Sequence, residues 1–158
     1  MKAKVRTCLW FEKDAIEAAK FYVSLLPNSK IENASSFEHA LGDGYDDVTV
    51  VEFTLAGTPY QAMNAGPHHQ FNDAMSMVIM TEDQAETDQL WTALTANGGK
   101  PVQCGWLKDR WGVSWQIVPR RMTELLADGD REKTHRLLQA MLPMQKLDIA
   151  ALEAAYRG

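Results

Sequence analysis

Cysteine is scarce in this sequence, with only Cys8 and Cys104 among 158 residues. Two thiols cannot build a disulfide framework or a four-thiolate zinc site. A basic surplus is also lacking: 16 Lys and Arg stand against 21 Asp and Glu, for a formal charge of −5. That balance argues against a nucleic-acid partner. No apolar run has the length of a membrane span or the layout of a signal peptide, so the expected setting is cytoplasmic, reduced and without a membrane partner. Histidine is limited to His39, His68, His69 and His135. Tryptophan, by contrast, is plentiful. There are five, and Trp106, Trp111 and Trp115 crowd into one short stretch. The remainder, 46% apolar and 23% charged, is ordinary for a globular chain. At this length a core can form without staples.

The hydrophobic period changes several times along the chain. Lys4 to Phe11 is β-branched and aromatic enough for a strand. Asp14 with Glu17 has capping-box spacing, and Ile16, Ala19, Phe21, Tyr22 and Leu25 follow at helical positions until Pro27-Asn28. Strands are expected over 30–37, 48–55 and 60–64, with a turn over 39–47 around Gly42-Asp43-Gly44. The order then recurs. Met75 to Thr81 reads as a strand, and Asp83 with Glu86 repeats the capping-box spacing. Ala85, Leu90, Trp91 and Leu94 line a helix that stops at Asn97-Gly98-Gly99. Strands over 101–107 and 113–118 are expected around Asp109-Arg110-Trp111-Gly112, with Lys108-Asp109-Arg110 a polar turn that reads as solvated. An offset of 69 takes Asp14 to Asp83, Glu17 to Glu86, Leu25 to Leu94 and Asn28 to Asn97. An offset of 55 takes Gly57 to Gly112, Tyr60 to Trp115 and Gln61 to Gln116. Two copies of strand-helix-strand-strand-strand follow. After Pro119, three helical patterns over 122–126, 133–141 and 147–156 complete the chain.

Several stretches carry a resemblance. Cys-Leu-Trp-Phe (8–11), Glu-Ala-Ala-Lys-Phe-Tyr (17–22) and Leu-Leu-Pro-Asn-Ser-Lys-Ile (25–31) are similar to the opening of the PhnB-like proteins. These belong to the vicinal oxygen chelate superfamily, also called glyoxalase/bleomycin-resistance/dioxygenase. Gln-Cys-Gly-Trp-Leu-Lys-Asp-Arg-Trp-Gly-Val-Ser-Trp-Gln-Ile-Val-Pro (103–119) and Met-x-Lys-Leu-Asp (144–148) resemble the branch labelled 3-demethylubiquinone-9 3-methyltransferase. The resemblance implies an α+β fold of two tandem βαβββ modules forming an incomplete barrel around a pocket, as a homodimer. One domain would span 1–158, with modules over about 3–66 and 73–119 and a helical extension over 120–158.

In the wider superfamily a divalent metal is held from the first and last strands of each module. The resemblance carries those places to Thr7, Ser76, Gln61 and Gln116, with Arg6 or Cys8 as neighbours should the register at Thr7 slip. Hydroxyls and amides are poor ligands for such an ion, which takes imidazole or carboxylate. The expectation is therefore no metal and no other cofactor. A pocket lined by Gln61, Gln116, Ser76 and Thr7 remains, with Trp10, Trp106 and Trp115 as aromatic wall; Tyr60 and Trp111 are further wall residues. Cys104, near Lys108 and Arg110, is a candidate nucleophile or a buried small hydrophobe. The expected partner is an aromatic or conjugated small molecule. Alternatives are a metal-dependent lyase, isomerase or dioxygenase, a binding dimer with no chemistry, or the methyltransferase of the family label. For the last, the Gly-rich turn that commonly binds the donor is missing.

Overall fold

The computed structural model describes residues 4–37, 42 and 47–158. The turn expected over 39–47 lies outside the described residues except for Gly42 and Asp47, and His39 lies outside them too. The chain divides into two compact units, Met1–Phe71 and Asn72–Gly158.

In the first unit the order is β1 (Thr7–Phe11), α1 (Ala15–Leu25), β2 (Lys30–Phe37), β3 (Val48–Leu55) and β4 (Thr58–Asn64). These strands form an open sheet ordered β1-β4-β3-β2, with β1 parallel to β4 and the other pairs antiparallel. Alternation decides which face is covered. Leu9, Phe11, Val51, Phe53, Leu55 and Ala62 are buried, as are Ala15, Ala18, Ala19 and Tyr22 of α1. Three alanines on one helix stripe let α1 lie close to the sheet, and each large side chain enclosed there contributes about 2 kcal/mol. The opposite face, left uncovered by α1, carries Arg6, Cys8, Trp10, Glu52, Gln61 and Met63.

The second unit repeats the plan with β5 (Met77–Thr81), α2 (Gln84–Thr95), β6 (Lys100–Pro101), β7 (Trp106–Lys108) and β8 (Ser114–Pro119). Its sheet is ordered β5-β8-β7-β6, with β5 parallel to β8. Met77, Ile79, Leu107, Trp115 and Ile117 are buried with Leu90 and Leu94 of α2. Three helices follow: α3 (Arg120–Ala127), α4 (Arg131–Met141) and α5 (Ile149–Arg157). Leu125, Leu137, Leu147, Leu152 and Tyr156 form their shared buried cluster. The architecture is α+β, two βαβββ modules followed by C-terminal helices.

Three local expectations change. The strand expected over 101–107 is two short strands, because the chain turns at Gln103-Cys104-Gly105. Trp106 N–H closes that turn on the Gln103 carbonyl at 3.1 Å, and Cys104 and Gly105 have φ of 59° and 82°. Glycine is required at 105, since a Cβ there would stand 2.8 Å from the Ile117 carbonyl oxygen. The two helix starts also differ. Asp83 caps α2 by accepting the Glu86 N–H at 2.8 Å, while Glu86 accepts the Glu82 N–H at 2.7 Å. Asp14 has the same spacing and makes no side-chain cap, because it sits in the left-handed region at φ 67°. Two residues separate β1 from Asp14 and one separates β5 from Asp83, so the added residue is accommodated by that twist. Finally, the strands superpose at an offset of 70, not 69: Thr7 partners Tyr60 as Met77 partners Trp115.

Candidate functional site

On the uncovered face of the first sheet, parallel pairing puts Cys8 beside Gln61. The Gln61 amide donates to the Cys8 sulfur at 3.6 Å. Arg6 pairs with Glu52 next to them. Trp10, two residues along β1 from Cys8, is held by its indole N–H, which donates to the Gly66 carbonyl at 3.0 Å. His69 stands edge-on to Trp10 with ring centroids 4.8 Å apart, and His68 lies at 6.5 Å. Both histidines are exposed, as their Gly-Pro setting implies, yet both border this face. The sequence signal for that was indirect. A chain leaving a strand parallel to β1 exits at the end of β1 where Trp10 sits. Thr7 is placed differently from the expectation. It shares the helix-covered face with Leu9 and Phe11, and its partner is Tyr60, whose hydroxyl burial pushes above its ordinary pKa. Cys8 and Arg6 take the uncovered side instead.

The second sheet also carries an amide and an indole on one face. The Gln116 amide donates to the Ser76 hydroxyl at 2.9 Å. Trp106 is the antiparallel partner of Gln116, so indole and amide share the face. Lys108 partners Ser114 one step along. Ser114 donates to Asp73 at 2.7 Å, and Lys108 reaches the same carboxylate oxygen at 3.0 Å. The Ser114 hydrogen bond, then Lys108, holds the Asp73 carboxyl below its usual range. Val78, 52% exposed, adds apolar surface.

Two candidates lie elsewhere. Trp115 is fully buried on the helix-covered face, and its indole N–H donates to Asp109 at 2.9 Å. Asp109 is itself only 3% exposed and also accepts the Trp111 and Val113 N–H groups, at 2.9 and 3.0 Å. The turn read as solvated is thus organised around a buried carboxylate. Arg110 packs over the Trp111 ring, 4.0 Å from its centroid. Cys104 is half-buried and its sulfur faces backbone carbonyls, 3.7 Å from Leu142 and 4.0 Å from Met141.

The residues at the superfamily's metal places do not suit a divalent ion. Gln61 and Gln116 are neutral amides, each with a donor directed at a neighbour, and Ser76 is a hydroxyl already accepting one of those bonds. They supply no charge and little basicity. Among the described residues no group of three or more His, Cys, Asp or Glu comes together to hold a metal. No helix among the described residues is long and apolar enough to cross a membrane.

The paired modules are those of the vicinal oxygen chelate fold, and comparison with solved structures agrees. FosX of Listeria monocytogenes, a genomically encoded fosfomycin resistance protein, superposes with a TM-score of 0.57 at 12% identity, over 80% of this chain and 98% of that one. A protein from Pseudomonas aeruginosa gives 0.59 at 19% identity, over 75% and 98%. A PhnB protein from Bacillus cereus, carrying the 3-demethylubiquinone-9 3-methyltransferase label, gives 0.64 at 31% identity, over 74% and 99%. The family model for 3-demethylubiquinone-9 3-methyltransferase matches residues 3–118. The chain belongs to this PhnB-like family of the superfamily. Comparison with curated proteins returns no match.

Proposed function

We propose that the chain binds or transforms an aromatic or conjugated small molecule on the uncovered faces of its sheets, without a metal or other cofactor. The observation that carries this is the recurrence of one arrangement. Gln61 and Gln116 occupy corresponding positions on β4 and β8, and each shares its sheet face with an indole, Trp10 or Trp106. Each amide directs one N–H at its neighbour and retains its oxygen for an oriented ligand. The indole supplies a flat apolar surface. Methyl transfer, the activity in the family's label, would need a donor site, and the Gly-rich turn that commonly forms one is missing from the sequence. Lyase, isomerase or dioxygenase chemistry on a metal would need ligands these strands lack.

The proposed setting is cytoplasmic, with no nucleic-acid partner, and the proposed assembly is a homodimer. β1 and β5 end their sheets, and terminal strands call for cover. Light scattering at about 35 kDa, twice 17.7 kDa, is the expected result; 17.7 kDa would refute the dimer.

A thermal-shift screen of aromatic, quinone and thiol-conjugate compounds tests the function. A ligand at about 100 times its Kd adds about 2.7 kcal/mol. For a chain of this size that raises Tm by about 5–10 °C. Gln61→Leu or Gln116→Leu should remove the rise with little change in the unliganded Tm. A comparable rise with zinc, nickel or manganese and none with the compounds would overturn the reading.

A further inference from the structure

Between α4 and α5, residues 144–148 run across the second unit as a strap that ends at Ile149, the first residue of α5. Its polar contacts fall on two parts of that unit, the turn at Cys104-Gly105 and α2. The Met144 carbonyl accepts the Cys104 N–H at 2.7 Å, and the Gln145 carbonyl accepts the Gly105 N–H at 2.8 Å. Lys146 pairs with Asp88 of α2 at 2.6 Å. The Gln84 side chain holds the strap's end from both sides of its amide: Nε2 donates to the Leu147 carbonyl at 3.2 Å, and Oε1 accepts the Ile149 N–H at 2.9 Å. The Leu147 side chain is buried against the position of Gly105.

The strap therefore satisfies the two turn amides that the sheet leaves over. Both residues are in the left-handed region, which is strained for a cysteine. Beyond the turn the linkage continues into the sheet. The Gly105 carbonyl accepts the Ile117 N–H of β8 at 2.8 Å, and the next residue, Trp106, begins β7 beside Gln116.

We propose that this strap is a positioning element for the ligand face of the second module: by fixing the Cys104–Gly105 turn, it sets where Trp106 stands relative to Gln116 and Ser76. The consequence for ligand choice rests on the function proposed above; the positioning itself does not. The strap lies beyond the residues 3–118 matched by the family model and contains the Met-x-Lys-Leu-Asp stretch (144–148) that resembles the family branch.

The test uses the full chain carrying Q84A, which removes both amide bonds to the strap. Q84E keeps the acceptor for Ile149 but turns a carboxylate oxygen toward the Leu147 carbonyl and Asp88, two acceptors, so it disrupts the strap by repulsion. K146A removes only a surface ion pair and is the control. Hydrogen exchange at the Cys104 and Gly105 amides reports the strap. The 19F resonance of 5-fluorotryptophan at Trp106, assigned with W106F, reports the face. Anilinonaphthalene sulfonate serves as the aromatic probe. Q84A should speed exchange at both amides about tenfold, as expected for local opening. It should also shift or broaden the Trp106 resonance and change probe affinity at least about threefold, while K146A stays within about twofold of the parent. Q84E should perturb both readouts at least as much as Q84A. Faster exchange with an unmoved Trp106 resonance would overturn the proposal, and so would unchanged exchange in Q84A. A Trp106 that responds in a protein that never binds the probe supports the positioning role and counts against the aromatic-ligand reading.

Discussion

Replacing Asp109 by alanine should cost about 3–4 kcal/mol, a large value for a turn residue flanked by Lys and Arg. The magnitude follows from three bonds. One carboxylate oxygen accepts the Trp111 and Val113 N–H groups, which closes the turn, and the other accepts the Trp115 indole N–H. Hydrogen bonds to a charged group are worth about 1.5–3 kcal/mol, and the turn amides can recover part of theirs from water. The indole N–H cannot, because Trp115 is 0% exposed. A buried donor left without a partner costs about 1–3 kcal/mol by itself. Urea denaturation would show a lower midpoint at unchanged slope, and Tm should fall by about 10 °C. D109N separates the contributions. It keeps an oxygen for one set of bonds and must turn an NH2 toward a donor on the other side, so about 2 kcal/mol is expected. A double-mutant cycle with W115F should return a coupling above about 1 kcal/mol. A cost for D109A below about 1 kcal/mol, or no coupling to Trp115, would refute the claim that a buried carboxylate organises the hairpin.

The two helix starts should respond in opposite directions to substitution. D83A removes a formed cap and should cost about 1 kcal/mol, whereas D14G relieves a left-handed residue with no cap to lose and should stabilise by about 0.5 kcal/mol; chemical denaturation of both variants decides it. Tyr156 donates to Asp128, and that carboxylate, with burial, pushes its hydroxyl up to about 12 from 10.0. The neutral form is the one favoured by folding, so this contribution is complete below pH 10.0 and is lost as pH rises through about 12. The stability difference between the parent and Y156F should therefore be constant at neutral pH and shrink across that alkaline window; a difference that grows there would contradict the assignment.

Much of the architecture was legible because it depends on local patterns repeated twice. Capping-box spacings, apolar stripes and the Asn of each helix stop recur at one offset, and each predicts its element without reference to the rest of the chain. What depended on pairing was not legible. The offset of 69 was read from the helices, while the strands match at 70, since one more residue precedes Asp14 than Asp83. At an offset of 70, Ser76 corresponds to Arg6 and Val78 to Cys8, so Thr7 falls on the helix-covered face and Cys8 is the partner of Gln61. The stretch 101–107 has strand-forming residues on both sides of Cys104-Gly105, so composition gave no warning of the break. The bonds that fix the break come from residues 144 and 145, some forty positions on. Asp109 looked solvated because its neighbours are charged, and the donor that buries it lies across a hairpin.

The placement of the tryptophans follows from the same pairing. In the β7–β8 hairpin Trp106 is in register with Gln116, so Trp115, one residue away, must point to the opposite face. The core needs the larger apolar surface of Trp115, and that requirement sends Gln116 to the uncovered side. In β1 the same rule buries Leu9 and Phe11 and leaves Cys8 and Trp10 outward. A slip of one residue in either strand would bury a polar side chain beside the helix and expose an indole or phenyl ring. Each amide of the proposed site is thus held outward by the hydrophobic neighbour next to it, and the Asp109 turn that fixes the hairpin register guards the site and the core together.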